Sequence, residues 1–158
     1  FYGHDRKGVI LSEQILRRLK FDNESINKIS LLVKEHMNVL EKPTDASVKR
    51  LINRVGKDLL NELFALQRAD ALGSVSAEIR LEQIDRVEEK TMAILQSKVP
   101  LSIKELAVNG RDLIQEFSLK PGTEIGDMLK FLLDKVLENP KLNSKEQLFA
   151  IVYDEYIK

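Results

Sequence analysis

A chain of 158 residues with 43% hydrophobic side chains can bury a core, as one domain or two small ones. Its 25 lysines and arginines balance 25 aspartates and glutamates, which excludes a polyanion-coating protein and leaves only a local patch to meet nucleic acid. The lack of cysteine excludes a disulfide framework or a thiolate metal site. No apolar run nears the roughly 18 residues of a membrane span, so the expectation is a cytoplasmic protein with no membrane partner.

Apolar residues recur at helical spacing along almost the whole chain, and no stretch alternates with the period of a strand. The expected fold is all-α. Ile10, Leu11, Ile15, Leu16 and Leu19 make a first stripe, and Phe21-Asp22-Asn23 breaks it and caps a second helix carrying Ile26, Ile29, Leu32, Val33 and Met37. Pro43-Thr44-Asp45 stops one helix and caps the next, whose stripe is Val48, Leu51, Ile52 and Val55, with Gly56 as its C-terminal cap. Leu59, Leu60, Leu63, Phe64 and Leu66 carry a fourth helix that ends near Gly73. From Ser76 to about Gln96 a long charged helix keeps one narrow stripe of Ile79, Ile84, Val87 and Ile94, as a strut between two parts would.

Lys98-Val99-Pro100 is the strongest boundary, because proline pushes the preceding residue out of the helical region. It divides the chain into 1–97 and 98–158. In the second part Ser102 and Glu105 have the spacing of a capping box, opening a short helix that ends at Asn109-Gly110. A helical hairpin follows, from about Gly110 to Phe117 and from about Thr123 to Glu138, around the turn Ser118 to Gly122. After Asn139-Pro140 the last helix begins at Asn143, with Glu146 completing a second capping box and Leu148, Ile151 and Val152 turned to the core.

Two features carry candidate chemistry. His4, His36 and Asp70 are residue types that could converge on a divalent metal, yet three such ligands fall short of most catalytic sites, and Asp5 beside His4 reads equally well as a helix cap. With two histidines, no cysteine and no phosphate loop, the chain does not read as an independent enzyme. The hairpin is more specific. Lys120-Pro121-Gly122-Thr123 puts a glycine where a helix starts, so unpaired N–H groups and the positive end of the dipole face any approaching anion. Gly122 and Gly126 would leave room for a backbone phosphate, Arg111 and Lys120 would add charge, and Thr123 a hydroxyl. The plainer alternative is that Pro121-Gly122 only turns the corner and Gly126 permits close helix packing.

The segments "FYGHDRKG", "LAVNGRDLI", "LKPGTEIGDMLKFLLDKVLENP" and "LNSKEQL" together resemble the C-terminal part of a bacterial tRNA nucleotidyltransferase, of the CCA-adding enzyme and poly(A) polymerase family. The resemblance is most specific from Leu106 to Leu148. It implies a helical body and tail that bind and measure tRNA, with the catalytic head, its metal-binding carboxylates, Mg and the substrates ATP or CTP lying outside this chain, which opens on Phe1 as a piece of something longer would. The fragment by itself is then expected to be inactive and to need no cofactor.

The first half resembles the later part of an HD-type helical domain, a truncated half with right-angled and antiparallel helices, in which His4, His36 and Asp70 correspond to metal-binding positions and the defining His-Asp doublet lies upstream. Arg111, Lys120, Gly122, Thr123, Lys130 and Lys145 are the candidate RNA contacts, selected by local chemistry. Two other readings stay open: a remnant of an HD-type metal-dependent phosphohydrolase, and a helical scaffold that dimerises. A homodimer is compatible with all three.

Overall fold

A computed structural model describes residues 4–97 and 99–158; the side chains of residues 4–6 lie outside the described set. The regular structure of the described residues is all helical, without a strand. They form α1 (His4–Arg18), α2 (Asn23–Glu35), α3 (Asp45–Val55), α4 (Leu60–Leu72), α5 (Ala77–Gln96), α6 (Gly110–Phe117), α7 (Thr123–Glu138) and α8 (Lys145–Val152). Single 3-10 turns occur at Lys57–Leu59, Ile103–Glu105 and Pro140–Leu142, and one π turn at Tyr153–Ile157. No helix among the described residues is long and apolar enough to cross a membrane.

The chain packs as two compact units, residues 1–92 and 93–158, dividing within α5 where the sequence places its boundary at 97/98. In the first unit, Asp22 caps α2 by accepting from the Ser25 amide at 2.9 Å. Thr44 and Ser47 close a reciprocal capping box on α3, and Gly56 ends that helix at φ +86°, where a side chain would be strained. The core takes Ile26 from α2, Val48, Leu51, Ile52 and Val55 from α3, Leu60, Leu63 and Phe64 from α4, and Ile84 and Val87 from α5. Between α2 and α3 the buried Glu35 carboxylate accepts from Arg54 Nε at 2.9 Å and from Asn38 Nδ2 at 3.1 Å. Between α4 and α5, Arg68 grips Asp85 at 2.7 Å and also Glu88, while Arg80 holds Asp70 at 2.8 Å.

Two stripes predicted from the sequence contain residues that stay outside this core. Ile10, Leu11, Ile15 and Leu19 are exposed, because α1 packs on α2 through its opposite face, where Gly8 brings a would-be Cβ to 3.3 Å from Val33. Ile79 is also exposed; the buried row of α5 is Ile84, Val87, Thr91 and Ile94, with the Thr91 hydroxyl donating to the Val87 carbonyl at 2.7 Å.

The second unit is built on α6, α7 and α8, which enclose Leu113, Ile125, Met128, Leu132, Val136, Leu148 and Val152 together with Val108. Phe117 and Phe149 pack edge to face at 5.6 Å. Three local expectations change. The Ser102 segment makes one 3-10 turn rather than a helix, with Glu105 reaching back to the Leu101 amide at 2.8 Å. Asn109 opens α6 instead of ending a helix, accepting from the amides of Arg111 and Asp112. Ser144, not Asn143, caps α8, which frees Asn143 to clasp the Ala107 amide at 2.8 Å and the Glu105 carbonyl at 3.0 Å.

Candidate nucleic-acid interface

The hairpin turn is set by Ser118, which ends α6 in the left-handed conformation at φ 53° and lets the Leu119 amide reach back to the Ile114 carbonyl at 3.2 Å. Pro121 and Gly122 then lead into α7. Gly122 is extended, at φ 179°, a backbone open to any residue, so the turn does not demand glycine there.

The three hairpin glycines separate by what surrounds them. At Gly110 a Cβ would stand 3.1 Å from Ile125 Cγ2 and 3.9 Å from Leu129 Cδ1, so this glycine permits the close approach of α6 to α7. At Gly122 and Gly126 a Cβ would meet nothing within 4 Å. Close packing therefore explains Gly110 and does not explain Gly126, which stands inside α7 at a position where glycine costs about 0.5–1 kcal/mol relative to alanine.

The two helix starts also differ. Asn109 and Asp112 cap α6 reciprocally, whereas no side chain caps α7 at Gly122. Beside that open start stand the exposed Lys120 and Thr123. Among the described residues the side chains of Arg111 and Lys120 form no ion pair, whereas Lys130 is paired with Asp127 at 2.9 Å and Lys145 with Asp112 at 3.1 Å, its Nζ also lying 5.4 Å from the Phe149 ring. The six candidates thus divide into two unpaired cations, two residues of an uncapped helix start, and two cations already engaged. Carboxylates bound the site on one side: Glu124 and Asp127 line a shallow groove of about 470 Å³ with Leu119, Met128, Tyr156 and Ile157.

Sequence reasoning missed Asp112, although Asn109 three residues before it has the spacing of a capping pair. Asp112 accepts from the Asn109 amide at 2.8 Å, and this bond, followed by Lys145, holds its carboxyl below the ordinary 3.8. A carboxyl depressed in the folded state contributes stability that is present above its ordinary value and lost as pH falls through the folded value. Thermal unfolding followed from pH 6 down to about pH 2 should therefore show a smaller acid-induced loss in Asp112→Asn than in the wild type; equal losses would remove Asp112 from the account.

The metal-ligand candidates lie in the first unit. His36 follows α2, its Nδ1 2.6 Å from the Val33 carbonyl, and the Asp70 carboxylate is the partner of Arg80. The His4 side chain lies outside the described residues. Among those described, no three His, Asp or Glu side chains are grouped to hold a metal ion.

Comparison with known proteins gives a consistent picture. The family model of tRNA nucleotidyltransferase domain 2 matches residues 10–152. The A-adding tRNA nucleotidyltransferase of Deinococcus radiodurans is 33% identical over 137 residues, covering 85% of this chain and 31% of that protein. The CC-adding tRNA nucleotidyltransferase of Thermus thermophilus is 28% identical over 153 residues, 96% of this chain and 33% of the relative. A CCA-adding enzyme of Lactococcus lactis is 42% identical over 48 residues, 30% of this chain and 12% of that protein. The chain spans about a third of the length of the first two relatives. No solved structure gives a significant match.

Proposed function

The chain belongs to the tRNA nucleotidyltransferase domain 2 family, and from that premise we propose that it binds and measures tRNA for 3′-end nucleotide addition performed by a catalytic head elsewhere in a longer polypeptide. The relatives are named for A, CC and CCA addition. What those activities share is the tRNA rather than the nucleotide, which suits a segment that holds the common substrate. Mg and ATP or CTP belong, in this reading, to the head.

The observation that carries the proposal is the start of α7. It combines an uncapped helix N-terminus, two glycines facing open space and a neighbouring unpaired lysine. Helix-start amides receive a phosphate without regard to base identity, and RNA duplexes are recognised mostly by shape. Phosphate contacts at a few points also agree with zero net charge, since a surface that must release its tRNA gains little from indiscriminate polyanion affinity.

Gly126→Ala tests this reading with two measurements of opposite sign. Alanine has room at this site and should raise stability by about 0.5–1 kcal/mol through helix propensity. If the bare backbone there admits a phosphate, the same substitution should weaken tRNA binding. A more stable variant with unchanged tRNA affinity would show that Gly126 serves no ligand.

A further inference from the structure

The first unit carries two exposed helix faces of opposite charge, each studded with apolar side chains. On α1, Lys7, Leu11, Gln14 and Arg18 follow one another at helical spacing along one line, with Ile10 and Arg17 on one flank and Ile15 on the other. Ile10 and Leu11 are 59% and 57% exposed. Leu11, Gln14, Ile15 and Arg18 surround a shallow depression of about 180 Å³. Lys7, Arg17 and Arg18 form no ion pair among the described residues.

On α5, Glu78, Glu82 and Glu89 make the corresponding line, flanked by Ile79 on one side and by Asp85 and Met92 on the other. Ile79 is 60% exposed and Met92 47%. Glu78 and Glu89 form no ion pair among the described residues, and Arg86 reaches Glu82 only at 3.9 Å. Among the described residues neither face is covered, since α1 packs on α2, and α5 is tied to α4 by Arg68 and Arg80.

The two faces match in spacing as well as sign. Lys7 and Arg18 are about three turns apart, roughly 16 Å along the helix, and so are Glu78 and Glu89. In either relative direction both terminal cations of α1 can meet both terminal carboxylates of α5, while Leu11 and Ile15 bring apolar surface toward Ile79 and Met92. Exposed apolar side chains rimmed by complementary charge characterise protein interfaces and suit nucleic acid poorly.

We propose that a second copy of this chain is the occupant: α1 of each copy lies on α5 of the other, in a reciprocal contact closed by a two-fold axis. This inference is independent of the tRNA reading.

Light scattering and sedimentation equilibrium of the 158-residue chain test it. The wild type should move with concentration from 18.1 kDa toward twice that mass, and rising salt should oppose the shift. Reversing α1 alone, with Lys7→Glu and Arg18→Glu, makes both contacts acid against acid and should weaken dimerisation at least about 10-fold. Reversing α5 alone, with Glu78→Lys and Glu89→Lys, should do the same by the opposite repulsion. The chain carrying all four substitutions should dimerise again, which a merely unfolded variant cannot do. A wild type that stays monomeric at high concentration overturns the proposal, as does a four-fold variant that fails to recover. Monomeric wild type combined with weakened tRNA binding after α1 reversal would assign the basic face to RNA instead.

Discussion

Leu132→Ala is expected to destabilise the second unit by about 2–5 kcal/mol. Leu132 is fully buried in α7 among Leu113, Met128, Val136, Leu148 and Val152. Removing most of its side chain forfeits transfer free energy and leaves a cavity that helices clamped on both sides cannot collapse around. A unit of this size has little stability in reserve, so a loss at the upper end would leave much of it unfolded at physiological temperature. Hydrogen exchange should register the change in α6, α7 and α8, and tRNA binding should fall with it. A shift below about 1 kcal/mol would mean that these helices do not share the core described.

The second large effect concerns charge. Arg111→Ala combined with Lys120→Ala removes the two candidate cations that have no ion-pair partner among the described residues. If each meets one phosphate, the slope of log affinity against log salt should shrink in magnitude by about 1.4–1.8. Extrapolated from 1 M salt, where the electrostatic contribution vanishes, this weakens tRNA binding about 100-fold at 50 mM salt and about 10-fold at 200 mM. All tRNAs should be affected alike, since phosphate contacts carry no sequence information. Lys130→Ala with Lys145→Ala should do less, because those lysines already neutralise Asp127 and Asp112. Equal effects of the two pairs would contradict the ranking that the ion pairs impose.

The sequence was most legible where one helix face is both apolar and covered by its neighbours. Val48, Leu51, Ile52 and Val55 are buried as their spacing predicts, and Leu148 and Val152 likewise. It misled where an apolar row has no partner within the described chain: the period of Ile10, Leu11, Ile15 and Leu19 reports a face, while burial depends on what packs against it. Ile79 fails for a related reason: it stands on the exposed side of α5, whose inward row is Ile84, Val87, Thr91 and Ile94. Asn109 was ambiguous because asparagine is favoured both at helix starts and at helix ends, and only the Asp112 side chain decides for the start. At the candidate site the residue types were readable and their states were not. Spacing cannot say that Gly110 is crowded and Gly126 open, or that Lys145 is held by an aspartate 33 residues away.

In the proposed function this chain holds tRNA through backbone phosphates. The most direct measurement is the affinity of the wild-type chain for unrelated tRNAs between about 50 and 200 mM salt. Saturable binding is expected, with log affinity falling linearly in log salt at a magnitude above about 1.4, the least that two phosphate contacts require, and with the same slope for each tRNA. Absence of saturable binding at 50 mM salt, or a slope near zero, would contradict it.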